Sequence, residues 1–186
     1  MKLNEIFSDE FIAKLNTLNA GSDLDPEEEV KGFIDIEKIL TELNFEISRE
    51  NNMNGSGRIK GNRIYIDDSE IKSRQRFTMA HELGHAMQNI RNANRKDDPD
   101  DYDFAERKNE VFANTFAAQL LMPKKLVLNA INEVIENRQM DSKHLDDSQI
   151  DVILNDVAEK LQVSKGAIKY RVKNLNIFVP LKGENK

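Results

Sequence analysis

Residues 77–87 read FTMAHELGHAM, a stretch with two histidines four positions apart and a glutamate directly after the first. On an α-helix, residues four apart lie on one face, so His81 and His85 can present both imidazoles to one ion. The adjacent Glu82 would direct its carboxylate toward a water on that ion, as a general base requires. The stretch therefore predicts a helix with a metal-dependent hydrolytic centre. The alternative is a surface helix whose histidines only make hydrogen bonds.

The composition limits which residues could complete such a centre. The 186 residues include no cysteine, which excludes disulfides and thiolate ligands, and only three histidines. The third, His144, lies in the polar segment DSKHLDDSQ and is predicted to be a solvated surface residue. A catalytic zinc site takes three protein ligands and a water, so a carboxylate is expected as the third ligand.

The favoured third ligand is Glu110, in the segment FAERKNEVFANTFAAQLLMP, which predicts a helix ending near Pro123. Glu110 belongs to a stripe of mostly small or apolar residues at three- and four-residue spacing. The other members of the stripe are Ala113, Asn114, Ala117 and Leu121. A carboxylate in such a stripe points into a helix contact, where a cation would compensate for its burial.

Two other residues bear on this choice. Gly84 lies in the middle of the HELGH helix, where glycine costs about 1 kcal/mol relative to alanine, so another backbone or a ligand is expected to approach closely there. Glu106 competes with Glu110 as a ligand, but its neighbours Arg107 and Lys108 predict an exposed first turn with local ion pairs. The burial argument therefore favours Glu110.

The whole chain predicts an α+β fold that is mainly helical. Near the N-terminus, apolar residues at helical spacing predict one amphipathic helix, and a second helix is expected within residues 34–44. Residues 45–68 alternate β-branched and polar residues, which predicts two or three short strands, with Gly61-Asn62 as a hairpin turn. We expect a small antiparallel sheet before the HELGH helix, and helices from about residue 104 onward.

Three segments follow from this pattern. Residues 1–30 are predicted to be an amphipathic helix and acidic linker, 31–124 the metal-binding core, and 125–186 a helical region packed on that core. In the last segment two helices are expected to meet near Val163-Ser164, with Ser164 capping the second.

Residues 91–103 are predicted to form a solvent-exposed loop. Its five aspartates between Asp97 and Asp103 lack the glycine and the terminal glutamate of an EF-hand loop, so a solvated acidic loop is preferred to a calcium site.

The motif pair RQRFTMAHELGHAM and KNEVFANTFAAQLLMP strongly resembles the ImmA/IrrE family of metallopeptidases. The resemblance implies a zincin-like core that binds one Zn²⁺ through His81, His85 and Glu110, with Glu82 as the catalytic base. It extends over about residues 32–178, from GSGRIKGNRIYIDD to VAEKLQVSKGAIKYRVKNLNIF. The N-terminal helix is not part of the family pattern.

The resemblance also implies a biological role. Well-known members are bacterial proteins that relieve repression by cleaving a helix-turn-helix repressor encoded nearby, and others act in stress responses or toxin-antitoxin pairs. A zinc metalloendopeptidase with such a repressor as its protein partner is therefore expected. Iron or manganese could in principle replace zinc, although the hydrolytic HExxH arrangement favours zinc.

A second interpretation concerns the C-terminal end. From Lys160 onward there are seven Lys and Arg against one acid, Glu184, a charge of +6, so the rest of the chain carries −12 within the net −6. Residues 156–175 resemble a helix-turn-helix whose second helix carries basic side chains that could contact DNA. These are Lys165, Lys169, Arg171 and Lys173. Because the remainder is acidic, packing on the enzyme or docking a partner is preferred to nucleic-acid binding.

Two points stay open in the sequence. The metal-bound protein could sequester a transcription factor without cutting it. Tyr170 and Asn114 could stabilise an oxyanion, although a structural tyrosine and a helix-packing asparagine are preferred.

The chain has no run of about 18 apolar residues and acids interrupt its N-terminal apolar positions, so no membrane span or secretory signal is predicted and a cytoplasmic location is expected.

Overall fold

A computed structural model describes residues 1–94 and 104–178 of the chain. The helices in these ranges are α1 Leu3–Ile6, α2 Asp9–Asn16, α3 Ile36–Glu42, α4 Lys72–Met87, α5 Phe104–Leu121, α6 Lys124–Asn137, α7 Asp147–Leu161 and α8 Lys165–Asn174. The strands are β1 Glu46–Glu50, β2 Gly57–Lys60, β3 Arg63–Asp67 and β4 Asn92–Asn94. The predicted α+β class with a mainly helical fold is confirmed.

The sheet has the strand order β1-β3-β2-β4. Strands β2 and β3 form the predicted antiparallel hairpin, in which Lys60 lies opposite Arg63. Gly61 makes the turn with a φ of +61°, a left-handed conformation that glycine adopts without steric cost.

The sheet is mixed rather than purely antiparallel. Strand β1 runs parallel to β3, with Ile47 opposite Ile64, because the chain crosses over before it enters the hairpin. Strand β4 follows α4 and pairs with β2, although residues 92–94 were predicted to be loop. The sequence Asn-Ala-Asn has no β-branched or aromatic residue, so only pairing with β2 makes it a strand. The predicted acidic loop at 97–103 lies outside the described residues.

The N-terminal segment forms two helices where one was predicted. The chain is extended at Phe7 and Ser8, and the Ser8 hydroxyl accepts a hydrogen bond from the Phe11 amide to cap α2. Phe7, Phe11 and Phe116 form a chain of ring contacts, with centroids 5.2 and 6.0 Å apart, that joins this segment to α5.

The predicted helix pair near the C-terminus is confirmed. Helix α7 ends at Gln162 in a left-handed conformation, and the Ser164 hydroxyl accepts a hydrogen bond from the Ala167 amide to cap α8. Ile168 and Val172 of α8 are buried in the same hydrophobic core as Leu3 and Leu83. That core draws on all three predicted segments, and the division between them stays a prediction.

Helix α4 lies in the middle of this arrangement, against α5, α3, β2 and β3. The buried Arg76 near its start donates hydrogen bonds to the carbonyl oxygens of Ile34 and Gln162, at 2.7 and 3.1 Å. These bonds tie α4 to the chain before α3 and to the connection between α7 and α8.

Candidate metal centre

Helix α4 is buried along its C-terminal half, where every residue from Thr78 to Ala86 is buried. His81 and Glu82 are fully buried and His85 is 2% exposed. A helix that buries two histidines and a glutamate cannot satisfy them through water, so protein groups or a bound ion must do so. The alternative interpretation, a surface helix whose histidines only make hydrogen bonds, is therefore wrong, because both histidines are buried.

Close packing between α4 and α5 brings the two motifs together. A Cβ placed on Gly84 would lie 2.9 Å from the Cα and 3.2 Å from the carbonyl oxygen of Ala113. Only a residue without a side chain allows the helices to approach this closely. The expected close backbone approach at Gly84 is confirmed, and its partner is the alanine three residues after Glu110.

Three donor atoms converge at this helix contact. His81 Nε2 and His85 Nε2 lie 3.1 Å apart, and they lie 3.2 and 3.1 Å from the two carboxylate oxygens of Glu110. Zinc bonds of about 2.0–2.1 Å at tetrahedral angles separate neighbouring donors by about 3.3–3.4 Å. The spacing and the chemistry of this His-His-Glu set therefore fit a divalent metal ion with an open fourth position.

Asn114 fixes the orientation of one of these histidines. Its side-chain oxygen lies 3.1 Å from His81 Nδ1. An amide oxygen can only accept a hydrogen bond, so Nδ1 carries a proton, and Nε2 is the nitrogen that faces Glu110 and would bind a metal. The sequence had offered Asn114 as an oxyanion group or a packing residue, and the structure gives it this contact instead.

The Glu110 carboxylate is held in its ionised form. Burial raises its pKa, but hydrogen bonds and attraction from His81 and His85 outweigh burial and lower the pKa to about 2. Because the side chain is only 14% exposed, its negative charge lies where a cation would be strongly attracted.

The start of β2 packs against the other side of α4. A Cβ on Gly57 would lie 2.8 Å from the Tyr65 carbonyl oxygen, would overlap the Thr78 methyl group, and would lie 3.6 Å from Glu82 Oε1. Gly57 therefore provides the space in which Thr78 and the Tyr65 carbonyl sit, beside the Glu82 carboxylate. Sequence reasoning missed this role, although a glycine within a strand often marks a close approach.

The competing candidates lie elsewhere. Glu106 is exposed in the first turn of α5 and outside the three-residue cluster. His144 is exposed and lies 2.7 Å from an oxygen of Asp141, as expected for a surface histidine. Tyr170 is 66% exposed on α8, which gives no support to a role in the centre.

The basic side chains of α8 are partly used within the fold. Lys165 forms an ion pair with Asp151 at 2.7 Å, and Arg171 donates a hydrogen bond to the Met122 carbonyl oxygen at 2.9 Å. Lys169 and Lys173 are exposed. Half of the cations on which the DNA-binding interpretation relied therefore stabilise helix packing.

Comparison with known families identifies one match. The model of the IrrE N-terminal-like domain, Peptidase M78, matches residues 44–173, which run from just before β1 to the end of α8 and cover more than half of the chain. No curated protein matches the chain. Within the described residues, no helix is long and apolar enough to span a membrane.

Proposed function

The chain belongs to the Peptidase M78 family, and from this premise we propose that it is a zinc-dependent endopeptidase that cleaves a helix-turn-helix transcriptional repressor. The observation that carries the catalytic part is the convergence of His81, His85 and Glu110 within 3.2 Å of one another in a buried helix contact. The repressor, the regulatory context and action in the cytoplasm rest on the resemblance to ImmA/IrrE proteins.

Zinc is the ion that this ligand set favours. Two imidazole nitrogens and one carboxylate, with no thiolate, form a common ligand set of catalytic zinc. When bound, zinc would polarise the scissile carbonyl and lower the pKa of its water toward 7.

The protein groups supply the rest of the proposed mechanism. Glu82 directly follows the proposed ligand His81 on the buried part of α4. As the general base, its carboxylate accepts the proton of the attacking water. The same carboxyl group then delivers that proton to the leaving amine. Asn114 keeps the Nδ1 proton on His81, and burial of α4 excludes bulk water from the charged groups.

Metal content is the first test. Protein purified without chelators should carry about one zinc per chain, measured by elemental analysis that also reports iron and manganese. Glu110→Ala should lose most of this metal, whereas Glu106→Ala, one turn earlier on the same helix, should keep it. Equal metal in both variants would refute the assigned ligand set, and a different dominant metal would refute zinc.

Cleavage is the second test. The repressor encoded nearby is incubated with the wild type and with Glu82→Gln, and the products are identified by mass spectrometry. We expect cleavage only by the wild type, while the variant keeps its metal and captures intact repressor. Repressor that stays intact but is bound equally by both proteins would instead support a non-proteolytic regulator.

A further inference from the structure

We infer that the outward side of α5 beside Glu110 binds apolar side chains of the peptide substrate. This side is formed by Phe104, Lys108 and Val111 and is called the α5 face below. Phe104 is 76% and Val111 65% exposed. The inference rests on the proposed peptidase function and names the side-chain chemistry that the site would select.

Exposed apolar side chains are concentrated on this helix. Seven large hydrophobic residues of the described chain are exposed, and three of them lie on α5 between positions 104 and 112. Of these three, Phe112 is stacked on Phe116 at 6.2 Å, so its ring already has an apolar neighbour. Phe104 and Val111 are the more exposed pair and have the most apolar surface to bury against a partner.

The α5 face lies next to the proposed metal ligand. Val111 follows Glu110 directly and precedes Asn114 by three positions, so it borders the two α5 residues that contact the histidines. Phe104 lies two helical turns before Val111, about 10 Å along the axis, which equals about three residues of an extended peptide. A peptide crossing the metal centre would therefore reach the α5 face within a few residues of the cleaved bond.

The charge on the face adds a preference. Lys108 places its ammonium 4.8 Å from the centre of the Phe104 ring, so a cation lies beside the apolar surface of this face. An acidic residue close to an apolar one in the substrate would find both a cation and apolar surface here. The face thus suits a peptide with a large apolar side chain and a nearby Asp or Glu.

The test uses a peptide library of mixed sequence, incubated with zinc-loaded protein and read by mass spectrometry. The variants are Phe104→Ala, Val111→Ala, Val111→Ile, and Ile71→Ala as the matched control. Ile71 is 71% exposed but precedes α4, ten residues before His81. Glu82→Gln provides the background without catalysis.

The wild type should cleave peptides with Leu, Ile, Met or Phe at one fixed distance from the cleaved bond. Phe104→Ala and Val111→Ala should lower kcat/KM for those peptides about tenfold, mainly through KM, and lose the preference. Val111→Ile and Ile71→Ala should keep both the wild-type kcat/KM and the preference, and zinc content should stay the same in all variants.

Three results would overturn the inference. If the wild type cleaves but the alanine variants match Ile71→Ala, the α5 face does not contact substrate and the peptidase function stands. If those variants change only the sedimentation coefficient, the face joins two copies of the chain. If zinc-loaded wild type cleaves no peptide above the Glu82→Gln background, the inference fails together with the proposed peptidase activity.

Discussion

Replacing Gly84 with alanine tests whether the contact between α4 and α5 sets the geometry of the metal centre. The added Cβ would lie 2.9 Å from Ala113 Cα, whereas carbon atoms in contact prefer about 3.5–4.0 Å. The helices must therefore separate by about 0.6–1 Å at this point. The nearest atom belongs to the backbone, so no side-chain rotation can relieve the overlap.

Two opposing effects determine the result of this substitution. Alanine improves helix propensity by about 1 kcal/mol over glycine, while overpacking a tight core contact costs about 1–3 kcal/mol. The metal-free protein should thus lose about 0–2 kcal/mol of its free energy of unfolding. The effect on metal should be larger, because ligand distances tolerate only about 0.2 Å of error, so we expect zinc affinity to fall at least about tenfold.

Urea unfolding of the metal-free protein and zinc titration against a chromogenic chelator measure the two effects separately. Gly166→Ala is the control, because a Cβ there would meet only the Ser164 hydroxyl at 4.0 Å. That variant should be as stable as the wild type or slightly more stable, with unchanged zinc affinity. Adding Ala113→Gly to Gly84→Ala should restore little, since the closest overlap is with backbone. Wild-type zinc affinity in Gly84→Ala would refute the reasoning.

Two further predictions concern single side chains. Asn114→Ala should weaken zinc binding about 10- to 100-fold, because His81 loses the acceptor that orients it, whereas Asn114→Asp should keep the wild-type affinity. Equal zinc affinities of these two variants in a chelator competition would contradict this. Burial, and after it the neighbouring Glu28, raises the pKa of Glu42 from 4.5 to about 7. The stabilisation that the Glu42 proton contributes to the folded state is therefore complete below pH 4.5 and is lost as pH rises through about 7. Glu42→Gln should therefore lessen the fall in Tm between about pH 5 and about pH 8, whereas the control Glu10→Gln, at an exposed site, should not. Identical profiles of Tm against pH for the two variants would contradict the shifted pKa.

Local sequence signals predicted the elements that carry the site. The HELGH helix, the helix of Glu110 and the Gly61 hairpin each have their spacing or turn chemistry within a short stretch, and the structure has all three. The parallel pairing of β1 with β3 and the addition of β4 to β2 join segments that are distant in the chain, so no local pattern reveals them.

The proposed metal centre also combines features that a local sequence pattern predicts with features that depend on contacts between distant segments. The spacing of His81 and His85 is local, and the burial argument for Glu110 needed only the stripe on its own helix. The roles of Asn114 and Gly57 depend on which side chain faces which across two packed elements. Asn114 is 33 residues from His81 in sequence, and its hydrogen bond exists only because Gly84 lets the two helices approach.

The segments outside the two motifs hold the motif helices in place. Arg76 ties α4 to the carbonyl oxygens of Ile34 and Gln162, which lie before β1 and between α7 and α8. The ring of Phe116 on α5 contacts Phe11, which precedes the family match at 44–173. Each ligand-bearing helix is therefore anchored to chain that contains no proposed ligand. Because the donor atoms must converge to within a few tenths of an ångström, the proposed metal centre requires these remote contacts as well as the HELGH motif.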